Sequence, residues 1–310
     1  MLSPWLGLLL LLLGAMLLFA LWGGFTIAWD AAHPPRKGFA WALATGRPGD
    51  PAAANMSSED AELPGLDGLP CPAWRIRGHG DARSPVLLML HGWGRSRWDS
   101  LSRLLPLLPH VGEAWLPDLP AHGEHRGRSS WVGVREPEAV AAMLHEVAAR
   151  SPDRPIVVMG HSLGAGVAIR AAALAQSRGT RVAGVVALAP YVDVASPIPG
   201  RLALRGIPAW PFTQIAIAML RAFGRRDRPL HLCAGAMTSP ALVIACEGDR
   251  ISPAADAERV AAAMPRATLL VLPGDRHDEP GAGDPDRCAA ALAAFLGGVT
   301  RPRAEAAGTA

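Results

Sequence analysis

Six short apolar runs recur through the middle of this chain, each ended by a turn and each followed by a helical or Pro-punctuated stretch. They are Val86–Leu90 before His91-Gly92, Ala114–Leu116 before Pro117-Asp118, and Ile156–Met159 before Gly160. Three more follow: Val182–Leu188 before Ala189-Pro190, Ala241–Cys246 before Glu247-Gly248-Asp249, and Thr268–Leu272 before Pro273-Gly274. A strand with one wet face alternates apolar and polar residues. Continuous apolar runs of this length belong to strands covered on both faces, as in a parallel sheet. Helical patterns fall at about 98–108, 136–150, 163–177, 254–264 and 284–296. Strand–helix alternation joined by right-handed crossovers predicts a doubly wound, mostly parallel α/β sheet. Ligands in such sheets bind beyond the carboxyl ends of the strands, so the turn residues carry the chemistry.

The remaining segments divide the chain. Residues 1–30 are read as a membrane anchor, 31–70 as a Pro/Gly/Ala-rich linker, 71–298 as the α/β domain and 299–310 as a flexible tail. Within the domain, about 193–237 breaks the rhythm and reads as a small helical cap insertion, with a helical run near Phe212–Phe223. From Trp5 to Trp29 there is no charged residue, and six leucines run from Leu8 to Leu13. About 25 residues at about 1.5 Å each exceed a hydrocarbon core of about 30 Å. Trp5, Trp22 and Trp29 lie near the ends, where indoles favour the headgroup region. The segment is therefore expected to hold the chain to a lipid bilayer through residues 5–29, as a single-pass N-terminal anchor. The competing readings are a cleaved signal peptide and a buried helix. No Lys or Arg precedes the run, which argues against a signal peptide. Arg36, Lys37 and Arg47 follow it, and the positive-inside rule then favours a cytoplasmic domain, leaving the side open.

One turn stands apart. Gly160-His161-Ser162-Leu163-Gly164 lies between a buried strand and an Ala-rich helix. A serine on so tight a turn projects above the sheet. Side chains at the flanking positions would clash, and glycine removes them. The helix starting beside Ser162 offers free N–H groups and a favourable dipole to a developing oxyanion. This G-x-S-x-G in a strand–turn–helix context resembles the nucleophile turn of the α/β-hydrolase family, a likeness covering roughly residues 72–297. The resemblance implies an α/β-hydrolase fold and Ser162 as nucleophile. His91-Gly92-Trp93-Gly94 is similar to the family's H-G-x loop, which implies an oxyanion hole of the Trp93 and Leu163 backbone N–H groups. Pro117-Asp118 to His122-Gly123 resembles a family turn that is mostly structural.

A serine hydroxyl needs a base to take its proton, and the base needs a third group to fix its tautomer. His277, after the last strand, stands where the family places its base, with Arg276 where a glycine is usual. Asp249, in Cys246-Glu-Gly-Asp249-Arg-Ile-Ser-Pro253, resembles the family's G-x-x-D-x-x-x-P turn, with Cys246 replacing the first glycine. Glu247 and Asp193 are the rival acids.

Half of the chain is hydrophobic, and its formal net charge is only +3. There is no basic block, which excludes nucleic acid as a partner. No zinc spacing, phosphate loop or dinucleotide fingerprint occurs, so no cofactor and no metal are implied. Cys71, Cys233, Cys246 and Cys288 demand no disulfide. The expectation is an esterase- or lipase-like serine hydrolase. It would cleave small-molecule carboxylic esters or thioesters, including lipid-like acyl substrates, through an acyl-enzyme. Peptidase, lactonase and acyltransferase activities, or an inactive tethered binding protein, are the alternatives on the same fold. Oligomeric state is unread.

Overall fold

The computed structural model describes residues 3–300. Its strands are β1 (Ser58–Leu63), β2 (Cys71–Arg77), β3 (Val86–Leu90), β4 (Glu113–Pro117), β5 (Ile156–His161), β6 (Gly184–Leu188), β7 (Ala241–Cys246) and β8 (Ala267–Leu272). Its helices are α1 (Pro4–Ala32), α2 (Phe39–Ala44), α3 (Arg97–Leu104), α4 (Glu136–Arg150), α5 (Leu163–Ser177), α6 (Pro197–Ala203), α7 (Phe212–Ala222), α8 (Leu230–Ala234), α9 (Ala254–Ala263) and α10 (Pro285–Thr300). One sheet of eight strands has the order β1-β2-β4-β3-β5-β6-β7-β8. β2 runs antiparallel to both β1 and β4, and every other pair is parallel.

β3, β5, β6 and β7 are buried as their apolar composition demands, whereas β8, expected from its apolar run to be covered on both faces, is the edge strand and leaves Thr268 and Leu269 exposed. All five residues of β3 are buried. Val86, Leu88 and Leu90 enter one core with Val140 and Leu144 of α4, Ile169 of α5 and Val260 of α9. Leu87 and Met89 enter the other, with Trp98 and Leu101 of α3 and Leu296 of α10. Successive side chains point to opposite faces, so one strand feeds two cores. The order reverses at β3, whose neighbours β4 and β5 lie on either side. The crevice at such a reversal is where this architecture places ligands.

The stretch expected as a linker, residues 31–70, carries α2, a 3-10 turn at Ala52–Ala54 and the edge strand β1. β1 reads Ser-Glu-Asp-Ala-Glu-Leu and is mostly exposed. An edge strand with two wet faces has no apolar run to reveal it. β2 alternates buried and half-buried residues between β1 and β4 and also escapes a search for continuous runs.

α1 is long and apolar enough to cross a membrane. Residues 3–19 are exposed. The inner end is not: Gly24, Ala28 and Ala32, spaced four apart, form a buried stripe. Ala28 packs with Ile198 and Leu202 of α6 and Ala216 and Leu220 of α7. A Cβ at Gly24 would sit 2.3 Å from Ile215 Cγ2, so α1 and α7 meet at nearly backbone distance. Phe19 stacks edge-on against Phe212, with centroids 5.8 Å apart. The segment 193–237 thus supplies two helices that grip α1, while Leu230 and Ala234 of α8 join the main core. Of the expected tail, residues 301–310 lie outside the described residues.

Candidate active site

Ser162 follows β5 with φ +53° and ψ −114°, a conformation that L-residues rarely adopt. Strain of this kind persists only where the surroundings over-determine it. Here the surroundings are backbone. A Cβ at Gly160 would lie 2.0 Å from Gly164 O, and one at Gly164 would lie 2.5 Å from Leu90 O. The Ser162 N–H donates to Leu188 O at 2.8 Å, tying the turn to the end of β6. β3 and β5 pair from Val86↔Ile156 to Leu90↔Gly160, so the loops after both strands leave the sheet side by side.

His277 lies over this turn on the loop after β8. The Ser162 hydroxyl donates to His277 Nε2 at 2.8 Å. On its other side, His277 Nδ1–H donates to Asp249 Oδ2 at 2.7 Å. The carboxylate can only accept, which fixes the tautomer: Nδ1 carries the proton and Nε2 is the free base. Asp249 Oδ1 accepts the Ile251 N–H at 2.8 Å and the Ser252 N–H at 2.9 Å, so the carboxylate cannot turn away. The two side chains are 6 % and 1 % exposed. Of the rival acids, Glu247 is exposed, and Asp193 Oδ1 accepts from Ala195 N and Ser196 N in its own turn.

The Trp93 and Leu163 N–H groups have no hydrogen-bond partner among the described residues. Leu163 opens α5, where a helix leaves its first N–H groups unbonded. Gly92 lies under Ser162, with a Cβ built there 3.4 Å from Ser162 Cβ. His91 fastens this loop: its Nδ1–H donates to Gly92 O at 2.9 Å and its Nε2 accepts the Leu119 N–H at 3.0 Å. Burial pushes its pKa down to about 4, so it stays neutral and bridges. Asp118 accepts the Arg97 and Glu124 N–H groups, and His122 Nδ1–H donates to Pro120 O; both belong to turn architecture.

Sequence reasoning missed several neighbours. His161 is buried, and its Nε2–H donates to His277 O at 2.8 Å, holding the loop that carries His277. It lies inside the G-x-S-x-G motif, but no pattern in the sequence says that its ring reaches 116 residues onward. The cleft above Ser162 has a volume of about 160 Å³. Its walls include Trp93, Arg95, Ile251, His277 and, unforeseen, Arg201 of α6 with Pro35 and Lys37 from just beyond α1. The Trp93 indole N–H donates to Ala31 O at 2.9 Å, and Ser130 N–H to Ala32 O at 2.8 Å. The end of α1 is therefore bonded to the loop beneath the cleft. A larger hollow of about 550 Å³, between Glu59, Arg75 and Arg154, holds ion pairs but no nucleophile beside a base. Among the described residues, no three His, Cys, Asp or Glu gather as metal ligands.

A strained serine, a neutral imidazole with its free nitrogen on the hydroxyl, and a clamped carboxylate make an arrangement able to drive nucleophilic attack on a carbonyl. Comparison with known proteins identifies the family and an esterase-like activity. The model of the alpha/beta hydrolase family matches residues 87–291. A pimeloyl-[acyl-carrier protein] methyl ester esterase of Xanthomonas oryzae is 30% identical over 270 residues, covering 72% of this chain and 98% of that protein. The magnesium-chelatase 30 kDa subunit of Rhodobacter capsulatus is 29% identical over 154 residues, covering 49% of this chain and 52% of that subunit; the chain thus spans about half of its length. Among solved structures, an esterase of Pyrococcus furiosus superposes with a TM-score of 0.67 at 20% identity, over 87% of this chain and 100% of that one.

Proposed function

The chain belongs to the alpha/beta hydrolase family, and on that premise we propose that it is a membrane-anchored serine esterase with Ser162 as nucleophile, His277 as base and Asp249 as the orienting acid. Ser162 Oγ attacks the ester carbonyl carbon while its proton passes to His277 Nε2. Asp249 Oδ2 accepts the Nδ1–H throughout and stabilises the imidazolium. The Trp93 and Leu163 N–H groups donate to the carbonyl oxygen as it becomes an oxyanion. As the tetrahedral intermediate collapses, the C–O bond to the alcohol breaks and His277 Nε2–H protonates the leaving oxygen. Water then attacks the acyl-Ser162 carbonyl, giving its proton to His277 Nε2. As the second tetrahedral intermediate collapses, the bond from the carbonyl carbon to Ser162 Oγ breaks, His277 returns the proton to Oγ, and the acid departs. No other group is needed for the balance.

The single observation that carries this reading is the unbroken chain of short contacts, 2.8 Å from Ser162 to His277 and 2.7 Å from His277 to Asp249. The esterase relatives support an ester as substrate, and the methyl ester named for the Xanthomonas protein is a carboxylic ester of this kind. Anchoring is supported by the uncharged exposed half of α1. The test is covalent: the full chain in detergent should take a fluorophosphonate label that Ser162→Ala abolishes. A folded chain that takes no label, or labels equally as Ser162→Ala, overturns the enzyme reading in favour of an inactive tethered protein. A panel of esters, a thioester, a lactone and a peptide amide then separates the esterase from the other activities of the fold.

A further inference from the structure

The cleft above Ser162 is lined by three cations, Lys37, Arg95 and Arg201, and by one carboxylate outside the Ser162–His277–Asp249 chain, that of Asp278. Arg95 is satisfied. It pairs with Asp278 at short range and with Asp99 at 3.2 Å. Asp99 is further occupied by Arg47 at 3.0 Å, and the Asp278 carbonyl accepts from Arg103. Nothing anionic is left for the other two. Among the described residues, neither Arg201 nor Lys37 has a carboxylate within 4.0 Å. Neither side chain donates a hydrogen bond to any protein oxygen.

Arg201 is not a loose surface arginine. It is half-buried on α6, and α6 is pressed onto the loop that follows Asp249: a Cβ at Gly200 would lie 1.9 Å from Arg250 O. Its guanidinium carbon stands 4.6 Å from the centroid of the Trp93 ring. That ring is itself fixed by its bond to Ala31 O. Lys37 Nζ stands 4.5 Å from the Trp41 ring and is likewise half-buried. Burial lowers the pKa of both groups, so the protein surroundings do not favour their charge. A half-buried cation gives up part of its hydration, which an anion would replace. Two of them beside a nucleophile are a recognition device lacking its counter-charge. The guanidinium offers a planar fork that suits a carboxylate or a phosphate.

We propose that Arg201 and Lys37 form an anion subsite, so that the natural substrate of the Ser162 centre is an ester bearing a carboxylate or a phosphate. This deepens the serine-esterase reading and rests on it. The contact with the Trp93 ring places the guanidinium at the cleft wall, and the anion completes the charge that Asp278 leaves unmatched. Arg201 and Lys37 are specificity residues under this assignment, with no part in proton transfer.

Matched ester pairs test it on the full chain in detergent. Mono-4-nitrophenyl glutarate against 4-nitrophenyl valerate places a carboxylate on the acyl arm. Lysophosphatidate against a monoacylglycerol of the same chain places a phosphate on the alcohol arm. At least one anionic member should exceed its neutral partner in kcat/KM by about ten- to hundredfold, the scale of a charged hydrogen bond. The arm that does so identifies the source of the anion. Arg201→Gln and Lys37→Gln should each lower that ratio by about tenfold, chiefly through KM, and Arg201→Lys should recover part of it. The ratio is read on one preparation, so a loss of folded protein cancels. Wild-type ratios at or below one in both pairs, or a ratio that neither Gln variant moves, overturn the subsite while leaving the esterase intact. A chain that takes no fluorophosphonate at Ser162 overturns both.

Discussion

At the scale of single residues, the hydroxyl–imidazole–carboxylate contacts make sharp demands. Asp249→Asn keeps the shape but offers His277 an amide that can donate, so the imidazole turns to the wrong tautomer. Its turnover should fall by about 10³–10⁴-fold, by analogy with serine proteases, while the protein stays folded by circular dichroism. Loss in Asp193→Asn instead would move the acid to the β6 loop. Gly164→Ala makes a different demand. Its methyl would meet the Leu90 and His91 carbonyls at 2.5 and 2.6 Å, neither of which can retreat without breaking β3. That variant should lose about 1–3 kcal/mol of stability in a urea titration, the usual cost of an overpacked position. Ser162, His277 and Asp249 were legible because each ends a strand in a patterned turn. His161, Arg201 and Lys37 were not, because their roles arise only where loops distant in sequence meet. A lone lysine after an apolar helix reads as a topology signal; the fold gives it a wall of the cleft.

At the scale of elements, the apolar strands announced themselves, the exposed edge strand β8 among them, and the polar ones did not. β3, β5, β6 and β7 are continuous apolar runs, and their parallel pairing follows from their alternation with helices, whereas the strand order is seen only in the fold. β1 and β2 lack such runs because solvent, rather than a helix, covers part of their surface, and Pro and Gly nearby made 31–70 resemble a linker. α1 combines two environments in one helix. About 20 residues at about 1.5 Å are needed to fill a hydrocarbon core of about 30 Å. Counted from Pro4, that length ends near Gly23, where a Cβ would already meet Phe212 of α7. Under the proposed anchoring, a bilayer crossed by α1 would end at the cap, near the exposed Trp210. Gly24→Leu would wedge α1 from α7 without touching the exposed half of the helix. The variant should remain in membranes after a carbonate wash, yet hydrolyse esters roughly ten- to hundredfold more slowly, as the loop under Trp93 loses its support.

At the scale of the whole molecule, stability depends on pH through its buried histidines. His91 is held down to about 4 by burial, and His122 and His161 lie well below their ordinary value for the same reason. The unfolded chain binds these protons near pH 6.5, whereas the folded chain refuses them. The contribution is thus fully present above pH 6.5 and is lost as pH falls toward 4. Asp118, Glu136 and Asp227, raised by burial, work the opposite way but stand against four histidines, His125 being lowered by burial as well. The unfolding midpoint should drop between pH 7 and pH 4.5. His91→Gln should flatten that drop, by about 3 kcal/mol across the full range. An unchanged slope would show that His91 titrates normally in the fold.

The bond from the Trp93 indole to Ala31 O has a further consequence, for shedding. Many tethered enzymes keep working once a protease frees them from the bilayer. In this chain a cut just after Lys37 removes the acceptor for Trp93, the acceptor for Ser130 N–H and two walls of the cleft in one stroke. A fragment starting at residue 38 should be released and inactive together, whereas one starting at residue 24, which keeps Ala31, Ala32, Pro35 and Lys37, should be released and active. Leaving the membrane and losing function become a single event, set by where the peptide bond is broken.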